Sequence, residues 1–133
     1  MSINEIRSGL ASNMATISGL RVSAEVPDNP SPPIAIVNLK SVHYDLDFSR
    51  GMTLYNFGIT VIVGRVAERQ AQRKLDTYIG NGDESIKTAI ESDKTLNGSA
   101  FDVRVSEMSS VGALLLSEQN YLAAEFAVQV YAE

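Results

Sequence analysis

The stretch from Met52 to Val66 constrains the fold most, because apolar and polar side chains alternate along much of its fifteen residues. A period of two places successive side chains on opposite faces of a β-strand, so one face of this strand is predicted to be buried. Gly58 and Gly64 predict bulges or bends within it. The chain must therefore build a sheet with one covered face. The residues predicted on that face are Tyr55, Phe57, Ile59, Val61 and Val63.

Six further segments carry strand patterns and are joined mostly by short polar turns. Short connections favour pairing between strands that are neighbours in the sequence, so the sheet is predicted to be largely antiparallel. Along the last strand, alternate apolar side chains from Leu122 to Val130 are predicted to face inward. The six segments are 20–26, 34–39, 41–48, 101–106, 111–116 and 121–131.

Three segments show the three-to-four residue spacing of amphipathic helices. Ser2 and Glu5 fit a capping box at the start of the first helix, and Gly19 is placed to end it. The glycine-containing turn 80–82 ends the second helix. The predicted helices are 2–18, 67–79 and 84–93.

These elements predict one α+β domain over residues 1–133. Its sheet is expected to be mostly antiparallel, with the N-terminal helix and the central helix pair packed on one face. The predicted strand at 52–66 is much longer than the usual five or six residues. Such length is typical of a hairpin arm, so residues 41–66 are predicted to protrude and to reach a neighbouring subunit.

The bulk composition limits the class of protein. A chain of 133 residues and 14.4 kDa can bury a core without a metal or disulfides. Cysteine is absent, which removes thiolate nucleophiles and cysteine-based zinc sites. No apolar run approaches the ~20 residues of a membrane span, and no signal peptide is expected at the N-terminus. The net charge of −5 disfavours tight nucleic-acid binding, although an acidic wall can let a duplex pass.

All four prolines of the chain lie between residues 27 and 33. Proline lacks a backbone N–H and cannot complete a sheet ladder, so this segment is predicted to be a stiff, exposed loop. It is either an ordered connector or a preformed contact for a partner, since a stiff loop loses little entropy on docking. Pro30, Pro32 and Pro33 are therefore candidate contact residues.

The search for catalytic residues starts at the lone histidine. Ser41, His43 and Asp45 alternate on one predicted strand face, but no nucleophile elbow accompanies them, so a solvated or interfacial histidine is preferred. Asp45 and Asp47 lie about 7 Å apart by strand geometry, and no further ligand completes a cation site. The glycine-rich segment 80–83 follows a helix, unlike a phosphate-binding loop. No catalytic residue, metal site or cofactor is predicted, and the protein is not expected to be an enzyme.

The basic side chains are scattered and form no aromatic-interleaved patch that would suit single-stranded nucleic acid. Those on the second predicted helix are interpreted as a solvated face with some ion pairs between residues four apart. The scattered basic residues are Arg50, Arg65, Arg69, Arg73 and Lys74. Of these, Arg69, Arg73 and Lys74 lie on the second predicted helix, with Glu68 as an acidic neighbour.

The order of several segments along the chain is also informative. They run from the opening helix and its end, past the proline loop and the long strand pair, to the last strand. These segments are 2–7, 18–21, 64–69, 71–76, 85–91 and 121–126. In this order the chain resembles the small tail terminator proteins of long-tailed, non-contractile phages. It is particularly similar to those of actinobacterial phages, and also to the U-type minor tail proteins of lambda-like phages.

The resemblance implies a structural virion protein. Members of this family form a hexameric ring on the finished tail tube and stop further addition of tube subunits. The opposite ring face is recognised by the head-side connector, and DNA passes through the bore without specific binding. The expected partners are therefore further copies of the chain, the tail tube protein and the connector protein, with no membrane. The expected location is the head-proximal end of the tail, after assembly in the bacterial host cytoplasm.

Contacts with other copies or partners are then expected at the proline loop and along the predicted arm. The expected contact residues are Pro30, Pro32, Pro33, Tyr44, Phe48, Arg50, Met52 and Tyr55. The acidic side chains expected to line the bore are Asp45, Asp47, Glu118 and Glu125. A head–tail connector or stopper protein, or a tail tube subunit of the same particle, stays open as an alternative. So does a small α+β ligand-binding domain or enzyme.

Overall fold

The computed structural model describes residues 3–17, 20–23, 33–44, 52–65, 69–80, 82, 85–96, 98, 100–116 and 119–132. Within these ranges the helices are α1 (Ile3–Met14), α2 (Arg69–Ile79) and α3 (Ile86–Ile90). The strands are β1 (Arg21–Ser23), β2 (Ile34–His43), β3 (Thr53–Arg65), β4 (Asp102–Leu116) and β5 (Gln119–Ala132). No helix in these ranges is long and apolar enough to cross a membrane.

The five strands form one sheet in the order β1-β2-β3-β5-β4. β1 pairs with β2 in parallel, and the other three pairings are antiparallel. The helices pack on one face of this sheet and share a core with it. The prediction of an α+β fold is therefore confirmed, with a largely antiparallel sheet and helices on one face.

Alternate side chains of the two central strands fill this core. The five residues predicted to face inward on β3 are all buried. On β5 the prediction is also correct, because four of the five predicted residues are buried and Leu122 is half-buried against the core. Period-two patterning is reliable here because these strands have neighbours on both sides and a helix layer on one face.

The structure joins the predicted strands 34–39 and 41–48 into one, the continuous strand β2 that ends at His43. A β-bulge lies between Leu39 and Ser41. The bulge shifts the alternation by one residue, so Val37 and Leu39 face the core before it and Val42 faces the core after it. The alternation of core-facing side chains changes phase at the bulge while the backbone continues as one strand. The sequence pattern therefore predicted two strands where the structure has one.

The same effect explains the error in the predicted strands 101–106 and 111–116. They belong to the single strand β4, whose fifteen residues carry irregularities between Val105 and Glu107 and between Ser109 and Gly112. The core-facing positions change from odd numbers at Val105 to even numbers at Met108. Within the described ranges, the ten predicted elements therefore correspond to eight.

The expectation of a protruding arm at residues 41–66 is wrong for β3. This strand is the centre of the sheet, hydrogen-bonded to β5 along its whole length and to β2 along most of it. Tyr55, an expected contact residue, is only 9% exposed and belongs to the core. The length of β3 reflects a central position in a wide sheet. Residues 45–51 lie outside the described part of the chain.

A buried asparagine connects α1 to the end of α3. The Asn13 side chain is 7% exposed, and its Nδ2 donates to the carbonyl oxygens of Ile90 at 2.8 Å and Asp93 at 3.0 Å. The last carbonyls of a helix have no partner within the helix, so a side-chain donor at this point satisfies them. Sequence reasoning missed this role because the two partners are about 80 residues away.

A close backbone approach holds α1 against the segment after α3. A Cβ atom at Gly9 would lie 2.7 Å from the Cβ of Leu96 and 3.0 Å from its carbonyl oxygen. Leu96 has φ of 50°, a left-handed conformation that is uncommon for leucine, and its side chain is fully buried. Glycine at position 9 therefore lowers the helix propensity of α1, but it permits a close contact with Leu96 that a larger residue would prevent.

We expect Asn13→Asp to lower the free energy of unfolding by roughly 2 kcal/mol or more, because a carboxylate oxygen would face two carbonyl oxygens. Urea denaturation measures the loss. Asn4→Asp is the matched control, since Asn4 is exposed in the first turn of α1, where a negative charge is favourable. Equal stability of the two variants would show that Asn13 makes no such connection.

We expect Gly9→Ala to destabilise the protein by about 1–3 kcal/mol, although alanine favours helix by ~1 kcal/mol over glycine. The added methyl group must push α1 away from the Leu96 backbone. Thermal unfolding followed by circular dichroism tests this. Gly82→Ala serves as control because a Cβ there meets nothing within 4 Å. An unchanged or higher melting temperature for Gly9→Ala would contradict the close approach.

Candidate interaction surfaces

The face of the sheet opposite the helices, here called the outer face, carries a polar surface that no described helix covers. The strand registers align its side chains in rows across β2, β3, β5 and β4. At ~4.8 Å between strands, the surface is roughly 15 Å wide. The two rows nearest the start of β3 are His43, Leu54, Tyr131 and Asp102, then Ser41, Asn56, Gln129 and Arg104. A mostly polar face of this size suits contact with a macromolecule or with water.

The other end of the outer face is apolar and buried. A second cluster, separate from the main core, contains Ile34, Ile36, Ile62, Tyr121 and Ala123. The outer face therefore divides into a buried apolar end and a polar end. The unbroken apolar run at the start of β2 was the sequence signal for this division, since strands buried on both faces lose their alternation.

An ion pair crosses the middle of the outer face. Lys40 Nζ lies 3.3 Å from Glu125 Oε1, and the two side chains are 53% and 34% exposed. They meet above Gly58, where a Cβ would collide with both. Glu125 was expected to line an acidic bore, but Lys40 neutralises its charge locally. The other three residues in that expectation, Asp45, Asp47 and Glu118, lie outside the described residues.

The expected contact residues occupy different environments. Tyr44 follows β2 and is 74% exposed, which makes it a freely presented aromatic side chain. Pro33 and Met52 are half-buried, and the Pro33 carbonyl accepts a hydrogen bond from the Arg21 N–H at 3.2 Å. Pro33 therefore helps to join β1 to β2. The remaining expected contacts, Pro30, Pro32, Phe48 and Arg50, are outside the described ranges.

The Ser41 and His43 side chains are exposed on the outer face. The Ser41 hydroxyl accepts a hydrogen bond from Asn56 Nδ2 at 3.0 Å, so it is engaged by an amide and not by an imidazole. Asp45, the third member of the set, lies outside the described residues. In the described part of the chain, no three His, Asp or Glu side chains are grouped so that they could hold a metal ion.

The helix α3 covers part of the free edge of β4. Its Glu91 Oε2 accepts from the Val105 N–H at 3.0 Å and from Lys87 Nζ at 2.6 Å. Lys87 Nζ also lies 3.3 Å from the Val105 carbonyl oxygen, to which it donates. The outward backbone groups of Val105 are thus satisfied by side chains, one way in which proteins protect an edge strand.

An open cleft of about 260 Å³ lies beside this edge. It is lined by Ile79, Lys87, Phe126 and the β4 residues from Arg104 to Met108. The lining mixes two cationic side chains and the carboxylate of Glu107 with apolar surface. Ligand pockets usually enclose ~300–1,000 Å³ with convergent polar groups, so this cleft is a weak candidate for a small-molecule site.

The exposed side of α2 carries Arg69, Arg73 and Lys74 together with the carboxylate of Asp76. Asp76 accepts a hydrogen bond from Gln72 Nε2 at 3.0 Å. Among the described residues, the ion pairs join Lys40 to Glu125 and Lys87 to Glu91, and neither includes Arg69, Arg73 or Lys74. Glu68 lies outside the described residues. The interpretation of ion pairs along this side of α2 therefore stays a prediction.

The Glu91 carboxyl is tuned by its surroundings. Burial by itself raises the pKa of Glu91. The hydrogen bonds from Lys87 and the Val105 N–H outweigh that effect, together with the charges of Lys87 and Lys94, and hold the pKa below its ordinary value of 4.5. The charged form is thus favoured by the contact with the β4 edge.

We expect Glu91→Gln to lower the free energy of unfolding by about 1 kcal/mol at neutral pH, because it removes a charge-assisted hydrogen bond. Since the folded-state pKa is depressed, this contribution is fully present above the ordinary value of 4.5 and is lost as the pH falls through the folded-state pKa. Urea denaturation across that range measures it. Glu107→Gln, exposed on β4, is the control. A difference from the parent protein that stays constant with pH would contradict the prediction.

The chain matches no protein-family model, and its sequence matches no curated protein.

Proposed function

We propose that this protein is a structural virion component, the terminator of a phage tail tube. Copies of the chain close into a ring at the head-proximal end of the tube. One face of the ring stops further addition of tube subunits, and the other provides the docking surface for the head-side connector. DNA passes through the bore without specific binding.

The observation that supports this proposal most is the polar half of the outer face. It spans four strands, and the opposite face of the same strands is packed into the core. Its side chains can contact a large partner or water but do not converge on a pocket. The order of elements along the whole chain, which resembles that of tail terminators, supports the same function.

A terminator needs two unlike faces. A contact between unlike patches of neighbouring copies generates a ring when the rotation closes. Each closed ring then presents the tube with a surface that fits the last tube subunits but offers no site for the next ones. Polymerisation stops because the complementary surface is absent, and no bond has to be made or broken.

The charges of the outer face bear on the passage of DNA. Lys40 is paired with Glu125, and Arg104 lies near Asp102 and Glu107 on β4. Tight binding to a duplex needs several unpaired cations that displace counterions from the phosphates. A surface with nearly balanced charge does not supply them, so DNA can move past it. We therefore propose a bore of mixed charge instead of a strongly acidic one.

We expect the purified protein to form closed rings of uniform diameter in electron micrographs. Six chains of 14.4 kDa give a mass of about 86 kDa, which light scattering measures. Added in small amounts to its polymerising tail tube protein, it should shorten the tubes. The tube protein alone is the control. Unlimited tubes made from this chain itself would identify a tube subunit, and a lasting monomer that turns over a substrate would identify an enzyme.

A further inference from the structure

Each of the two edges of the sheet is protected over one part only. On the edge formed by β2, β1 pairs with residues 34–36, and no described strand pairs with residues 38–43 from that side. On the edge formed by β4, α3 satisfies the outward backbone groups of Val105, and no described strand pairs with residues 107–112 from that side. Residues 38–43 are called the β2 open edge, and residues 107–112 the β4 open edge.

The open edges lack the devices that usually keep edge strands apart. Unpaired N–H and C=O groups are a template for another strand, and proteins commonly shield them with lysine, proline or a covering element. From Met108 to Leu116 the sequence contains no proline and no charged residue. On the β2 open edge, Lys40 is turned inward across the outer face, since its Nζ lies 3.3 Å from Glu125 Oε1 on β5. Both open edges therefore suit the addition of a strand.

The irregularities in the two open edges have the same spacing. On β2, the outer-face residues Asn38 and Ser41 are three positions apart, because the register shifts between them. On β4, the outer-face residues Ser109 and Gly112 are also three positions apart, again because the register shifts between them. A slip of one residue would turn the polar side of one strand toward the apolar side of the other. Equal spacing avoids that slip when the two strands lie side by side.

An antiparallel alignment with Ser109 opposite Ser41 extends this match over both open edges. β4 runs antiparallel to β2, because three antiparallel pairings separate them in the sheet. Two copies side by side in the same orientation therefore bring the edges together antiparallel, the more stable kind of pairing. At one end of the alignment, the Glu107 carboxylate faces the His43 imidazole, which can donate a hydrogen bond to it.

We infer that the β4 open edge of one copy pairs with the β2 open edge of the next copy, so that the sheet continues from subunit to subunit. This contact rests on the proposed ring and specifies its interface. The two edges are unlike and lie on opposite sides of the domain, as a head-to-tail contact requires. Its affinity comes from backbone hydrogen bonds, as in other cases of strand addition.

The stagger of this alignment is compatible with a closed ring. Within one copy, the strand registers place Ser109 level with Ile36. In the contact, Ser109 lies opposite Ser41, which is a shift of roughly 16 Å along the strands over four strand spacings of roughly 19 Å in all. The strands are then inclined by about 40° to the ring axis. A sheet that closes on itself needs an inclination of ~35–45°.

Pairing between like edges does not preserve the match. Successive outer-face residues are two and then three positions apart along the β4 open edge, and three and then two positions apart along the β2 open edge. These spacings coincide when the two unlike edges run antiparallel. When either edge is paired with itself across a two-fold axis, they do not. The register therefore favours the head-to-tail contact over a symmetric dimer.

A disulfide trap tests the contact directly, because the chain has no cysteine of its own. On oxidation, the Ser41→Cys, Ser109→Cys double variant should form a ladder of covalent multimers on a non-reducing gel. The two positions lie on opposite edge strands of one copy, well beyond the roughly 4.4–6.8 Å Cα separation that a disulfide spans. Each disulfide must therefore join two copies.

The matched control is Ser8→Cys with Ser109→Cys, which carries the same number of thiols and places one of them on an exposed position of α1. This control and each single variant should give no ladder, and a mixture of Ser41→Cys and Ser109→Cys should give dimers. Circular dichroism verifies folding. Dimers from Ser109→Cys alone would show that like edges pair. That result, or a double variant that links no better than the control, would overturn the inference.

Hydrogen exchange followed by mass spectrometry tests the same contact in the unchanged protein. In the assembled protein, amides of both open edges should exchange at least tenfold more slowly than in the dilute, dissociated protein, because their outward N–H groups gain acceptors. Amides of α1 are the internal reference and should change little. A parent protein that stays monomeric, or slowing confined to other segments, would contradict the inference.

The inference and the proposed function can fail separately. If the double variant forms a ladder but the protein does not shorten tail tubes, the terminator function fails and the interface stands. If the protein shortens tubes but neither links through the two cysteines nor protects the open edges, the interface fails alone. If the β4 open edge becomes protected only after tail tube protein is added, that edge belongs to the tube contact and the inference fails.

Discussion

The rest of the structure depends on β3, which is hydrogen-bonded on both sides and fills the core with one of its two faces. A strand in this position positions its neighbours: β5 and β2 pair with it directly, and β4 and β1 extend the sheet from them. Because the helices cover only one face, the opposite face of the same strands becomes surface over its polar half. The polar outer surface of the molecule is thus a consequence of how its centre is built.

Specific buried and edge contacts hold α1 and α3 in the helix layer, whereas α2 has the ordinary amphipathic pattern. Near α3, a buried amide and a glycine bring α1 against the end of the helix, and a Lys–Glu pair covers the backbone of β4 at Val105. The α2 helix is amphipathic in the ordinary way, with a small apolar side and a strongly charged one. Its charged side chains lie on the layer opposite the polar outer face of the sheet, so the fold defines two unlike surfaces.

Much of the fold could be predicted because alternation and helical spacing are local properties. The inward residues of β3 and β5 and the α+β class were predicted correctly from them. The errors arose where the local sequence pattern does not show the path of the backbone or the neighbours of a strand. Bulges near Lys40 and Ser106 shifted the alternation and split single strands in two, and the length of β3 suggested an arm because sequence does not show how many neighbours a strand has. Of the expected contact residues, Tyr44 is well exposed and Tyr55 is core.

The sequence by itself determined which segments are strands and helices, and which of their sides are apolar, because a repeat of two or of 3.6 residues is written in neighbouring positions. Only the tertiary structure decided that Asn13 meets the carbonyl of Ile90, 77 positions away, and that Lys40 meets Glu125. Strand order and register bring such residues together, and many orders are compatible with the same local pattern. For that reason the polar surface and the ion pair across its middle became apparent only once the sheet was assembled.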